Sequence, residues 1–127
     1  MPSFPAAALP AFAQVSGVEP IRRSDEHGGH GPIVFRRLLT QRDFAAAVDF
    51  VDVTTIPAGS TIGTHRHDRN EELYFVLSGE PLVEVDGDAR RLRPGDVAIV
   101  RSGGRHSLVN DTAADVTIAV IQLPVGT

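Results

Sequence analysis

The sequence predicts an all-β protein, an antiparallel sandwich or barrel built from short strands. Three observations predict it. Runs rich in Val, Ile, Thr, Phe and Leu recur along the chain and read as strands. Gly-, Pro- and Asp-containing turns separate them at close, regular intervals. Helix-forming signals occur at one place only.

Taken in order, a Gly-rich entry, GGHG, leads into an extended run from Ile33 to Leu39. Thr40 followed by Asp43 resembles a helix cap answered from the third helical position. A short helical turn is therefore expected near residues 41–47, through Phe44 and three alanines, of at most two turns. Strands are expected over Val48–Ile56, Thr61–His67, Glu72–Leu77, Leu82–Asp86, Arg90–Arg93, Val97–Val100, His106–Asn110 and Val116–Leu123. Between two of them, Asp86-Gly87 is a hairpin signal.

The chain has 127 residues, room for one domain and one core. Residues 1–20, rich in Pro and Ala, are expected to form a flexible N-terminal segment, and 21–127 a single domain. Pro5 and Pro10 interrupt the apolar start and no basic residues precede it, so it does not read as a signal peptide. No stretch has the length of a membrane span. The expectation is a cytoplasmic protein with no membrane partner. Twelve basic residues against sixteen acidic give a net charge of −4, which argues against nucleic acid as a partner.

Two absences limit the chemistry. There is no cysteine, which removes disulfides, thiolate catalysis and iron–sulfur clusters. All twelve basic residues are arginine, which removes Schiff-base and lysine-base mechanisms. What remains is metal, carboxylate, imidazole, phenol and guanidinium.

Three histidines and a glutamate carry the functional signal. His65 and His67 lie two residues apart, so on a strand both imidazoles leave from one face. Glu72 opens the next β-run and His106 comes from a later strand. This set is suited to a mid-to-late first-row divalent metal. Iron or zinc leads the candidates, with manganese, nickel, cobalt or copper also admitted, one ion per chain. Glu71 competes with Glu72 for the carboxylate place, and strand alternation alone does not separate them.

The two segments together resemble the paired motifs of the cupin family, a small jelly-roll β-barrel. The first reads Gly59, His65-Arg66-His67, Glu72 and Gly79; the second reads Gly95, Gly103, His106 and Asn110. Arg101 stands where the family motif has proline, a departure that concerns turn geometry more than the site. The resemblance implies a metal held by His65, His67, Glu72 and His106, and the six residues from Glu72 to Gly79 favour Glu72. Small single-domain relatives include dioxygenases, polyketide cyclases, isomerase-like proteins and components of nitrogen–nitrogen bond formation. A metal-dependent enzyme acting on a small organic molecule in bacterial secondary metabolism is therefore expected, with a non-catalytic binding or sensing protein as the alternative.

Other residues carry weaker expectations. Glu72 doubles as a candidate base. Tyr74 shares its face and is either a substrate contact or a core aromatic. Val76 and Leu108 should point inward, and one of Arg36 and Arg37 must also do so. Arg66, of opposite parity to its neighbours, should point away from the metal. His27 and His30 read as a solvated linker, with an N-terminal lid as the other possibility. A homodimer is expected because open sheets have edges that need covering, the segment before residue 40 being able to add a strand to a partner.

Overall fold

The structure, a computed structural model, describes residues 10–126. Ten strands form two antiparallel sheets. They are β1 (Ile21–Ser24), β2 (Pro32–Thr40), β3 (Phe50–Ile56), β4 (Thr61–Arg66), β5 (Asn70–Ser78), β6 (Leu82–Val85), β7 (Asp88–Arg91), β8 (Val97–Val100), β9 (Arg105–Val109) and β10 (Val116–Pro124). The larger sheet has the order β1-β2-β3-β10-β5-β8, and the smaller one β4-β9-β6-β7. This is the expected all-β jelly roll.

The two sheets close on a core of Ile33, Ile56, Ile62, Val76, Leu108, Val116 and Ile118, each at most 6% exposed. Val76 and Leu108 are both fully buried, as their parity requires. Asp86 (φ 50) and Gly87 (φ 85) turn β6 into β7, the pair of positive φ values that a two-residue hairpin of matching twist demands. Asn110 is fully buried and structural. Its amide donates to the Ile56 and Ala114 carbonyls, both at 2.8 Å, and its Oδ1 accepts from the Thr112 hydroxyl at 2.7 Å.

Three features differ from the expectations. The helical turn near 41–47 shrinks to one 3₁₀ turn, Gln41–Asp43. The Asp43 carboxylate caps the Thr40 amide at 2.8 Å, but Ala45–Ala47 are exposed on all sides. With no face to bury, nothing extends so short a helix. Second, the segment before residue 40 adds a strand to its own sheet: β1 pairs with β2 from Ile21↔Phe35 to Ser24↔Pro32. Third, the sequence Asp25–Gly31 packs against β4 instead of running through solvent. Of the N-terminal segment 1–20, residues 1–9 lie outside the described residues. Within the rest, Val15–Gly17 is a 3₁₀ turn and the Val18 carbonyl accepts from Arg36 Nε at 3.2 Å.

β4 contains the irregularity that matters most for the site. Its pairing with β9 shifts between Ile62↔Leu108 and His65↔His106. Strict alternation from Ile62 would turn Thr64 inward and His65 out. The bulge inserts the extra residue that resets the face, so Ile62 fills the core while His65 reaches the interior.

Candidate metal centre

Four side chains meet at one end of the barrel. His65 and His106 are direct cross-strand partners on β4 and β9. His67 follows β4, fixed by its amide to the Gly104 carbonyl at 3.0 Å and by its own carbonyl to the Gly103 amide at 2.7 Å. Glu72 comes from the opposite sheet, on β5. One donor atom from each of the four lies within 4.8 Å of the others. His67, Glu72 and His106 are buried, and His65 is partly so.

The imidazoles are oriented from behind. His65 Nδ1 donates to the Gly63 carbonyl at 2.8 Å, and His67 Nδ1 to Asn70 Oδ1 at 2.5 Å. Both rings therefore present an Nε2 lone pair to the cluster. His106 Nε2 lies 3.0 Å from each of those nitrogens, so one proton there can satisfy only one of them. Glu72 Oε1 is 3.4 Å from His67 Nε2 and 3.2 Å from His106 Nε2. Donors about 2.1 Å from a common ion stand about 3.0–3.4 Å apart. Convergent lone pairs, a carboxylate and these separations fit a divalent cation, with the backs of the rings held as metal-ligating histidines are.

The electrostatics point the same way. Burial works against the Glu72 anion, but hydrogen bonds from His106 and His67 outweigh it and bring its pKa down to about 2. Burial holds His65 neutral, with its pKa lowered to about 4, helped by the neighbouring His106, His27 and His67. His67 moves the other way, upward, through its hydrogen bond to Glu72. The Glu72 carboxylate thus favours positive charge in the cluster.

Glu72, not Glu71, belongs to the cluster. Period-2 geometry turns Glu71 to the other face, where it pairs across to Leu123. Tyr74 is 2% exposed and its ring stacks on that of His106, centroids 4.3 Å apart. Burial, then Glu72 and Glu26, raise its pKa well above the usual value, so Tyr74 stays a neutral phenol.

The cluster opens into a cavity of about 380 Å³, walled by Phe35, Phe50, Ile62 and Val120. Of the two adjacent arginines, Arg37 is the one that lines it. Arg37 grips Asp52 by two bonds of 3.0 Å and lies 4.3 Å above the Phe50 ring. Arg66 is exposed at the cavity's edge. The Arg37–Asp52 pair and the two phenylalanine walls were absent from the sequence expectations. Only the parity of two strands not yet paired could have placed them together. Glu26 and His27 also line the cavity, and His30 is exposed.

The fold and cluster define a small jelly-roll protein whose four inward donors could hold a metal. Residues 52–122 match the family described as Cupin domain, and the chain belongs to the cupin family. It is 31% identical over 109 residues to the "Oxalate-binding protein" of Thermotoga maritima, covering 85% of this chain and 90% of that one. It is 29% identical over 101 residues to "Polyketide synthase CurC" of Streptomyces cyaneus, covering 80% of this chain and 61% of that one. A solved structure from Thermotoga maritima, described as a predicted oxalate decarboxylase, superposes with a TM-score of 0.86 at 26% identity, over 90% of this chain and 99% of that one. Among the described residues, no helix is long and apolar enough to cross a membrane.

Proposed function

We propose that this protein is a metal-dependent cupin enzyme acting on a small organic molecule in bacterial secondary metabolism. One divalent transition metal per chain would be held by His65, His67, Glu72 and His106. The observation that carries this reading is the convergence of three oriented imidazoles and a carboxylate on the floor of a walled, open cavity. An open donor set in a pocket is a catalytic arrangement. The similarity to a polyketide synthase protein supports the metabolic setting.

The bound ion supplies Lewis acidity and, when it is iron, copper or manganese, one-electron chemistry. Iron would suit a dioxygenase-type reaction; zinc would suit cyclisation, isomerisation, elimination or condensation, nitrogen–nitrogen bond formation included. The chain's own residues do the rest. Phe35 and Phe50 would hold an organic ligand and keep water from it. Tyr74, a neutral phenol, is suited to donate a hydrogen bond and not to accept a proton. Glu72, anionic at neutral pH, is the carboxylate that could take a proton from a substrate.

A second reading is a non-catalytic binding protein, favoured by the relative named for oxalate binding. Metal analysis of untagged protein, followed by oxygen uptake and product assays with candidate small molecules, separates the two. Stoichiometric metal with turnover supports the enzyme. Saturable binding without turnover supports the binding protein. No metal uptake from iron, zinc, manganese or nickel would end the first reading.

We further propose a cytoplasmic protein whose residues 21–127 fold as one unit and pair as a homodimer. The dimer is supported by the outer face of the six-stranded sheet, where Leu39, Val51, Ile121, Leu73 and Ile99 form one apolar row across five strands.

A further inference from the structure

We propose that Asp25–Gly31 is a preformed wall of the metal site in which His27 acts as a positioning residue for His65. The proposal rests on the reading of His65 as a ligand. The segment is bound at both ends. The Asp25 amide donates to the Gly31 carbonyl at 3.0 Å, and the Gly31 amide returns a bond to Asp25 Oδ1 at 2.9 Å. His30 then clamps the start of β4: its carbonyl accepts from the Thr61 amide and its amide donates to Thr61 Oγ1, both at 2.8 Å.

Two glycines let this segment approach β4 more closely than side chains permit. A Cβ on Gly29 would stand 2.5 Å from the Thr61 carbonyl oxygen, and one on Gly63 would overlap the His27 carbonyl oxygen. Gly63 lies in the β4 bulge and offers the carbonyl that holds His65 Nδ1. The close approach and the His65 orientation thus share one residue. Asp25 and His27 both have left-handed backbone, at φ 55 and 53. Such backbone is disfavoured for residues that carry a Cβ, for His27 more than for Asp25, and persists where surrounding contacts over-determine it.

What the strained segment achieves is a ring stack. The His27 imidazole lies 3.7 Å from that of His65, inclined by 14°. The other two histidines meet His65 edge-on, at 5.0 and 4.5 Å. Each of the other cluster imidazoles has its own brace: Tyr74 stacks on His106, and Asn70 holds His67. His65 is the least buried of the three, and His27 gives it the flat support that Tyr74 gives His106. His27 offers no donor atom to the cluster; its Nε2 is 3.8 Å from Glu26 Oε1. It acts through the face of its ring.

The test compares His27→Ala with His27→Phe, which keeps a ring but no nitrogen. Both substitutions place a similar demand on the left-handed backbone, and His27 is exposed enough for both proteins to fold. Two quantities are read: Co(II) affinity, and the His65 tautomer by imidazole ¹⁵N NMR of metal-free protein. His27→Ala should weaken Co(II) binding about tenfold and lose the single Nδ1–H form of His65. His27→Phe should stay within about twofold of the parent and retain that form. Unchanged affinity and tautomer in His27→Ala would overturn the proposal. So would equal loss in both variants, which would show His27 working through its nitrogens. Should the parent take up no Co(II), the metal reading fails, and the tautomer comparison alone decides the role of His27.

Discussion

The inner and outer faces of the six-stranded sheet contrast most sharply away from its apolar core. At the end that holds the cluster, the inner face carries charge: Arg37 pairs across to Asp52, and Glu72 sits one strand beyond Gln122. The outer face leaves large apolar groups in the open, with Phe75 and Leu77 on β5 and Val97 on β8 all more than 40% exposed. A sheet with one solvated face normally alternates the other way. Polar groups are tolerated inside because each has a partner, and among the described residues no buried side-chain nitrogen or oxygen lacks one. Apolar groups outside have no such compensation. On the function proposed above, the inner face serves chemistry and the outer face contact.

The sharpest way to break this contrast is to remove an inner donor. His106→Ala should lower metal affinity by about 100-fold or more, since even loss of a supporting partner costs about 10–100-fold. Metal content per chain after dialysis is the readout. Retention of stoichiometric metal would show that His106 is not a required ligand.

The outer face is tested by charge. Leu73→Glu puts a carboxylate within the five-strand apolar row, between Ile121 and Ile99. Self-association should weaken by about 100-fold, seen as a monomer by light scattering at micromolar concentration, with metal content unchanged. A parent protein that is already monomeric would remove the dimer and leave the apolar row without a function.

The next effect down is Asp52→Ala, which leaves Arg37 without its carboxylate. Arg37 is 40% exposed and can turn to water, so the loss should be only about 1–2 kcal/mol of stability. Cavity ligands should bind differently, because Arg37 would no longer be held over Phe50. Unchanged stability in chemical denaturation would mean the pair is solvated.

How legible all this was in the sequence depended on the range of the information. The ligand set could be read because His65, His67 and Glu72 are close in sequence and His106 sits in a motif of fixed spacing. Strand positions could be read from turn residues. The bulge at Gly63–Thr64 could not, because pairing with β9 creates it and no local pattern marks it. Neither could the Arg37–Asp52 pair, which needs the β2–β3 register. The alanines after Asp43 suggested a helix by propensity, and lack of anything to pack against decided otherwise. The Asp25–Gly31 run looked like a linker because its glycines signal freedom. Here two of the glycines in the contact, Gly29 and Gly63, serve close approach instead.

The effect of pH, no larger than that of Asp52→Ala, is the most specific to the inner face. Burial lowers the His65 pKa to about 4 from an ordinary 6.5. As pH falls below 6.5, the unfolded chain takes up this proton before the folded one does, so metal-free protein loses stability down to about pH 4, where the loss levels off. His67 has the opposite sign: its raised pKa gives stability that is present below 6.5 and lost as pH rises through its folded value. Glu72 contributes only at lower pH, its stabilisation being lost as pH falls from about 4.5 towards 2. Comparing the parent with His65→Asn therefore isolates the His65 contribution between pH 7 and 4. Allowing for the partial exposure of the ring, the parent should lose on the order of 1–2 kcal/mol more than the variant over that range. Parallel curves in urea denaturation would mean that His65 titrates like a solvated imidazole, and that the inner face is wetter at its His27 edge than its geometry implies.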